Sequence, residues 1–193
     1  MTRHGLLLTM TEPPAAMEEE FNAWYDSEHL PERLSVPGFR SARRWSADTA
    51  PGEGKYLATY ELDSAQVLMT PQYLARLEGA TPWTRRCLEK AVVFRRWACE
   101  QTAPGQADPH PAAKALLLVC GAAPLENAAL PGALQVRHFR ASEVARQDGS
   151  QGSRIRNRPI GAAVPRLCDL SSMPGCRRWR RSPRSRSRRS PGS

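Results

Sequence analysis

The residues best suited to chemistry in this chain lie on one short stretch, Phe21–Gly38. Trp24 follows Phe21 by three residues, Tyr25 follows it by four, and His29 follows Tyr25 by four. This spacing places the aromatic rings on one face of a helix and ends the row with an imidazole. Because an ordinary imidazole has a pKa of about 6.5, His29 is a candidate general acid or base at neutral pH. Trp24 and Tyr25 are then candidates for an apolar or stacking wall of a substrate pocket.

A purely structural interpretation of the same residues stays open. Aromatic rows at helical spacing are usually packing, so Trp24 and Tyr25 can be core residues and His29 a polar cap. Pro31 disfavours helical geometry at Leu30, so we expect the helix to end there. An imidazole in the last turn of a helix is held charged more readily than a free one. Glu28 is a candidate partner for that charge.

The elements that position these residues follow from alternation and from turn signals. Strands are predicted at His4–Thr11, Phe39–Ala47, Lys55–Leu62 and Ala91–Ala98. One helix is predicted between the first two strands, and two shorter helical segments between the last two. The order β-α-β-β-α-β predicts an α+β fold of the ferredoxin-like, split β-α-β type.

The second and third predicted strands supply further candidates for the site. Arg43 or Arg44 is expected to face the same cleft as His29 and to hold a carboxylate or enolate oxygen. Adjacent strand residues point to opposite faces, so only one of the two arginines can do this. Tyr60, on the third strand, is the remaining candidate for substrate binding.

Four regions follow from composition and internal similarity. Residues 1–100 form the α+β domain, and residues 101–113, rich in Pro, Gly and Ala, form a linker. Residues 114–142 resemble a second copy of the first half, since KALLLVCG echoes HGLLLTMT. This copy is one helix too short and has no counterpart of WYDSEH, so we expect it to cover only part of the open sheet face. A homodimer is therefore expected to bury the remainder.

Residues 143–193 form a basic tail that we expect to be disordered, because Arg, Ser, Gly and Pro dominate it. The net charge of +9 comes from this region: residues 154–193 hold 12 Arg and one acid, Asp169, while residues 1–153 carry a net −2. A near-neutral domain argues against nucleic-acid binding except through the tail. Alternatively, the tail has no function of its own and is an out-of-frame continuation of a gene that once encoded the rest of the second repeat.

The remaining patterns narrow the functional classes. Five cysteines without a CxxC pair describe neither a zinc site nor a disulfide framework, so we expect a reducing, cytoplasmic location. No stretch approaches the ~20 apolar residues of a membrane span. A second histidine near His29, a carboxylate cluster and a phosphate-binding glycine loop are all missing from the sequence, so we expect no metal and no cofactor.

One motif resembles a known family. Phe21, Tyr25, His29 and Pro31 form F-x-x-x-Y-x-x-x-H-x-P, which is followed by VPGF and a strand with paired arginines. Together with YLATYEL and TPWTRR, this is similar to bacterial EthD-like proteins of the dimeric α/β-barrel superfamily, over roughly residues 3–97. The truncated repeat and the basic tail depart from that pattern.

The resemblance implies two ferredoxin-like units packed sheet to sheet, with a cleft between helix and sheet that His29 faces. It implies a cofactor-independent enzyme of isomerase, cyclase or monooxygenase type, acting by His-mediated proton transfer on a small aromatic, lactone or polyketide-like substrate. A non-catalytic ligand-binding or stress-related protein is the alternative. A structural paralogue without ligand and an RNA-binding tail are further hypotheses.

Overall fold

The computed structural model describes residues 2–120, 132–142 and 176–181. The strands are β1 Gly5–Glu12, β2 Phe39–Ser46, β3 Tyr56–Leu62, β4 Val93–Ala103, β5 Ala115–Val119, β6 His138–Ala141 and β7 Cys176–Arg181. The α-helices are α1 Glu18–Trp24, α2 Leu30–Leu34, α3 Pro71–Glu78 and α4 Pro82–Lys90. A π-helical turn, Tyr25–His29, joins α1 to α2, and short 3₁₀ turns occupy Ala15–Met17 and Ala65–Met69.

The strands form one antiparallel sheet in the order β5-β7-β2-β3-β1-β4-β6. The long first strand β1 lies between β3 and β4, with Leu7 opposite both Tyr60 and Ala98. The predicted first and fourth strands therefore lie side by side in the same sheet. The α+β class predicted from the sequence is confirmed, with the helices packed on one face.

The helix that carries His29 is longer than the sequence predicts. We expected it to end at Leu30, before Pro31, but helical backbone continues to Leu34. The π-helical turn explains the difference: the N–H of Leu30 bonds the carbonyl of Tyr25, five residues back. Pro31 follows in the first turn of α2, and because it has no N–H it makes no hydrogen bond back into the π-helical turn.

The core on the helix side of the sheet is built from the aromatic row and the strand residues beneath it. Phe21 and Trp24 are fully buried, and Tyr25 and Tyr60 are nearly so. They pack with Phe39 and residues of α3 and α4 into one continuous cluster. The spacing of the aromatic residues thus sets which helix face is buried.

The opposite face of the sheet is covered within the chain. Leu8, Met10 and Leu57 are buried on this face, packed with Leu116 of β5 and Phe139 of β6. The premise for a dimer, an apolar sheet face left exposed by a short second repeat, is wrong for these residues. The homodimer itself stays a prediction.

The second half of the chain supplies edge strands to the same sheet. β5 pairs with β7 at one edge, and β6 pairs with β4 at the other, so the two strands of the predicted second repeat are far apart in the sheet order. The linker begins later than predicted, because Gln101–Ala103 continue β4.

Part of the tail also differs from the expected disorder. Cys176–Arg181 form β7, whose backbone pairs with β2 on one side and β5 on the other. Backbone pairing on both edges supplies the hydrogen bonds that composition alone does not predict. The rest of the predicted tail lies outside the described residues.

Candidate functional site

His29 lies in the π-helical turn, with its side chain buried between aromatic rings. Its ring centroid is 4.5 Å from that of Trp24 and 5.0 Å from that of Tyr25. Burial, and then the positive charges of Arg33 and Arg44, lower the pKa of His29 well below 6.5. The expectation of a charged histidine at a helix end is therefore wrong: the helix continues, and desolvation dominates.

The Nδ1 atom of His29 is buried and has no hydrogen-bond partner, and the same holds for Nη1 of Arg33. Buried polar atoms without partners are uncommon in folded proteins, so such atoms indicate a place where a ligand or water can bind. The two residues are four positions apart, and residues at this spacing are neighbours on a helix surface. An imidazole nitrogen and a cationic donor, both without a partner, thus occur one turn apart on a single buried face.

Arg33 is a further residue of this buried region, which the sequence patterns do not point to. Its side chain is buried, and its guanidinium carbon lies 5.4 Å from the centre of the Tyr73 ring. The hydroxyl of Tyr73 accepts a hydrogen bond of 3.0 Å from Nη2 of Arg96. One feature of the sequence could have indicated Arg33: it lies four residues after His29, a spacing that puts its cation on the aromatic face of the helix.

Arg44 is the arginine of β2 that faces the helices. Nη1 bonds Oδ1 of Asp26 at 3.0 Å, and Nη2 bonds Oδ1 of Asn22 at 2.7 Å. The guanidinium carbon lies 4.2 Å from the centre of the Tyr25 ring, a cation–π distance. Arg44 is thus held in place and contributes a fixed positive charge.

Arg43 lies on the opposite face of the sheet, as strand alternation predicts. Its guanidinium donates to the backbone carbonyls of His110 at 3.0 Å and Pro109 at 3.4 Å. It fastens residues 109–110 to the sheet and does not approach His29. Of the two candidate arginines, the structure places only Arg44 on the helix side.

Tyr25 and Tyr60 join the site through a short chain of hydroxyl groups. The hydroxyl of Tyr60 donates to that of Tyr25 at 3.4 Å, and the Tyr25 hydroxyl lies 3.1 Å from Oγ1 of Thr9. Burial, and then the proximity of Tyr25, raise the pKa of Tyr60 well above 10.0. Tyr60 is therefore a neutral phenol at physiological pH and serves as a hydrogen-bond donor.

Trp24 and Glu28 are held by α4. The indole N–H of Trp24 donates to Oγ1 of Thr84 at 3.0 Å, and the hydroxyls of Thr84 and Thr81 donate to Oε1 of Glu28 at 3.0 and 2.6 Å. Glu28 therefore does not partner His29, contrary to one interpretation of the sequence. Trp24 contributes a fixed ring beside the imidazole.

Five of the six residues predicted from the sequence come together on the helix side of the sheet. They are Trp24, Tyr25, His29, Arg44 and Tyr60, with Arg43 on the other side. With Arg33, their arrangement brings a neutral imidazole, the hydroxyl groups of Tyr25 and Tyr60 and two guanidinium groups into one buried region. Such a region can accept a proton and stabilise a negative charge.

Other reactive groups of the described part of the chain are less suited to catalysis. Burial raises the pKa of Cys87 to about 11 and that of Cys99 to about 12, so both thiols stay protonated and weakly nucleophilic. Within residues 2–120, 132–142 and 176–181, no group of three or more His, Cys, Asp or Glu side chains is placed to hold a metal ion.

Comparison with protein-family models, with curated proteins and with solved structures finds no match for this chain. Among the helices that the structure describes, none is both long and apolar enough to cross a membrane.

Proposed function

We propose that the chain is a small-molecule enzyme of EthD-like, dimeric α/β-barrel type, in which His29 transfers a proton on a small aromatic, lactone or polyketide-like substrate. The observation that carries the proposal is the buried Nδ1 of His29, which has no partner in the protein. A lowered pKa keeps the imidazole neutral, so that this nitrogen can present a lone pair to a substrate.

The chemistry follows from the charges around the ring. Nδ1 of His29 accepts a proton from an acidic carbon or hydroxyl of the substrate, and the electron pair moves onto an adjacent oxygen. Arg33 and Arg44 stabilise the negative charge that develops there, because both guanidiniums are buried where electrostatic interactions are strong. The same two positive charges destabilise the imidazolium form of His29, so the ring readily returns the proton to a second position on the substrate.

The sheet supports the ferredoxin-like part of the proposal. The strand order β2-β3-β1-β4, with every neighbouring pair antiparallel and helical connections after β1 and β3, is the arrangement expected of a split β-α-β unit. Packing of β5 and β6 residues over the second face favours closure toward a barrel within the chain. A homodimer remains part of the proposal.

A non-catalytic ligand-binding protein is the second candidate, and a specific observation favours it. The polar atoms of Trp24, Tyr25 and Tyr60 are already hydrogen-bonded within the protein. Among the buried polar atoms of the described residues that lack a partner are Nδ1 of His29 and Nη1 of Arg33, together with Oγ1 of Thr11, Oε2 of Glu32 and Nε of Arg137. The first two lie one helical turn apart, and two such groups are enough to bind a ligand without reacting.

A thermal-shift screen of small aromatic and lactone acids tests whether the site binds anything. His29→Gln is the informative variant, because truncating this buried ring to Ala would also leave a cavity. A ligand at 100 times its Kd should stabilise the wild type by about 2.7 kcal/mol. His29→Gln should lose this shift, and Arg43→Gln, on the opposite face, should keep it.

Two outcomes of the screen would count against both candidate functions. One is the absence of any stabilising compound for the wild type. The other is an equal shift in wild type and His29→Gln, which would place the binding elsewhere in the chain.

A further inference from the structure

We infer that Arg33 anchors the substrate and that the substrate is a small carboxylate, held at Nη1 of Arg33 with its acidic proton toward Nδ1 of His29. This inference rests on the proposed function, because it assigns the ligand class of the same site. It replaces the sequence-based expectation that an arginine of β2 binds the anion.

Arg33, Arg44 and Arg137 are all largely removed from solvent. Arg44 pairs with Asp26 at 3.0 Å, and Arg137 pairs with Glu61 at 2.7 Å. Arg33 is 6% exposed, yet it forms no ion pair with any carboxylate of the described residues. A buried guanidinium without a counter-charge is costly, so a negative group is expected to complete its surroundings.

Arg44 is less suited than Arg33 to anchor an anion, because its guanidinium is already bonded within the protein. Its two terminal nitrogens are used by Asp26 and Asn22, and its guanidinium lies between the rings of Tyr25 and Tyr56 at 4.2 and 5.0 Å. An anion that bound there would compete with Asp26 for the same donors. Nη1 of Arg33 needs no such exchange, since it has no partner to give up.

Two of the unpartnered buried atoms of the described residues lie on α2 and the π-helical turn before it. Nη1 of Arg33 is a cationic donor and Nδ1 of His29 is an acceptor, four residues apart on one buried helix face. A ligand that satisfies both must carry an anionic oxygen and a transferable proton. A small acid in its carboxylate form, with an acidic C–H or O–H group, has both.

The flat shape of a carboxylate also suits the surroundings of Arg33. The guanidinium lies 5.4 Å from the Tyr73 ring centre, and Phe39 stacks on Tyr73 with ring centroids 5.7 Å apart. A monoanion balances one guanidinium, whereas a phosphate dianion would need a second unpaired cation. The charges and rings together favour a monocarboxylate over a phosphate.

Titration of the full-length protein with benzoate and acetate, and with the neutral amides benzamide and acetamide, tests the inference by calorimetry. The wild type should bind at least one carboxylate and bind its amide at least about 10-fold more weakly, since a hydrogen bond to a charged group contributes about 1.5–3 kcal/mol. Arg33→Gln should weaken carboxylate binding by a similar factor. Arg33→Lys should recover part of it, and Arg76→Gln, an exposed arginine of α3, should leave it unchanged.

Equal affinity for carboxylate and amide, no carboxylate binding, or full binding by Arg33→Gln would each overturn the inference. If Arg33→Gln does not fold, the carboxylate–amide comparison on the wild type decides the matter alone. Turnover of a neutral lactone by a protein that ignores both carboxylates would overturn the inference and leave the proposed function standing. Carboxylate binding through Arg33 without any proton transfer would overturn the proposed function and leave the inference standing.

Discussion

At the scale of single residues, the protonation state of His29 decides what the site can do. The ring is 8% exposed, and the charges that bear most on it, Arg33 and Arg44, are both positive. Transfer of a charged imidazole into such surroundings is unfavourable, so the neutral form is the stable one. The residue type was readable from the sequence, but its neutral state depends on burial by residues distant in the chain.

The lowered pKa of His29 predicts a stability difference that grows in acid. Below pH 6.5 the unfolded chain gains a proton on His29 that the folded protein does not, so the folded state loses stability until the pH reaches the lower, folded pKa. As the pH falls through that range, the free energy of unfolding of the wild type should decrease by up to about 1.4 kcal/mol per pH unit relative to that of His29→Gln. Urea unfolding of both proteins at about pH 7.5 and 5.5 measures this. Parallel pH profiles would contradict burial of a neutral imidazole.

At the scale of elements, the connection from β1 to β2 shows what local patterns can and cannot predict. Intervals of three and four residues correctly placed Phe21, Trp24 and Tyr25 on the buried side of the helix. The same pattern could not reveal the π-helical turn, which is a single turn flanked by α-helical backbone at Trp24 and Leu30. The sequence therefore predicts a helix end before Pro31 and does not predict Arg33 on the buried face.

The turn after α2 depends on Gly38, which predicts a position-specific cost for a methyl group. Gly38 has φ +91°, and a Cβ there would lie 2.5 Å from Cγ2 of Val67. Gly52 has φ +84° with nothing within 4 Å of the same position. Each Gly→Ala change should cost about 1 kcal/mol for the left-handed backbone, and the contact at Gly38 should add about 1–3 kcal/mol.

Urea unfolding of Gly38→Ala and Gly52→Ala, each compared with the wild type, measures the two costs. Because Gly52→Ala carries the backbone penalty without the contact, it serves as the control. Equal losses in the two variants would show that Val67 moves aside freely and that the turn before β2 is not tightly packed against the 3₁₀ turn Ala65–Met69.

At the scale of the whole molecule, the central four strands were predictable and the arrangement of the second half was not. The alternation that predicted β1 to β4 is a local property of each segment. The pairing of β5 with β7 and of β6 with β4 joins segments that are distant in the sequence, and a repeated pattern of apolar residues does not specify which strands pair. The echo of the first strand in KALLLVCG thus predicted a strand but misplaced it in a separate unit.

A buried ion pair fastens residues 132–142 to the sheet. Arg137 donates two hydrogen bonds to the carboxylate of Glu61, at 2.9 and 2.7 Å, and a third to Oε1 of Gln101 at 3.1 Å. Arg137→Met would leave Glu61 buried without its partner, so we expect a loss of about 3–5 kcal/mol in the free energy of unfolding.

The neighbouring pair Arg140–Glu100 provides the control for that measurement. Its arginine side chain is 63% exposed, so Arg140→Met should cost no more than about 1 kcal/mol. Chemical denaturation of both variants gives the comparison. A loss at Arg137 as small as that at Arg140 would mean that this segment contributes little to the fold.

In the proposed function, neutral His29 takes a proton from a bound small molecule. The most direct test of this proton transfer is to incubate an acid found by binding with the protein in D₂O and to follow by NMR the replacement of its acidic C–H hydrogen by deuterium. The wild type should accelerate this exchange, and His29→Gln, with the ligand present at a saturating concentration, should slow it by about 10²-fold or more. Exchange at the same rate with wild type, with His29→Gln and without protein would contradict the claim and leave a binding protein in its place.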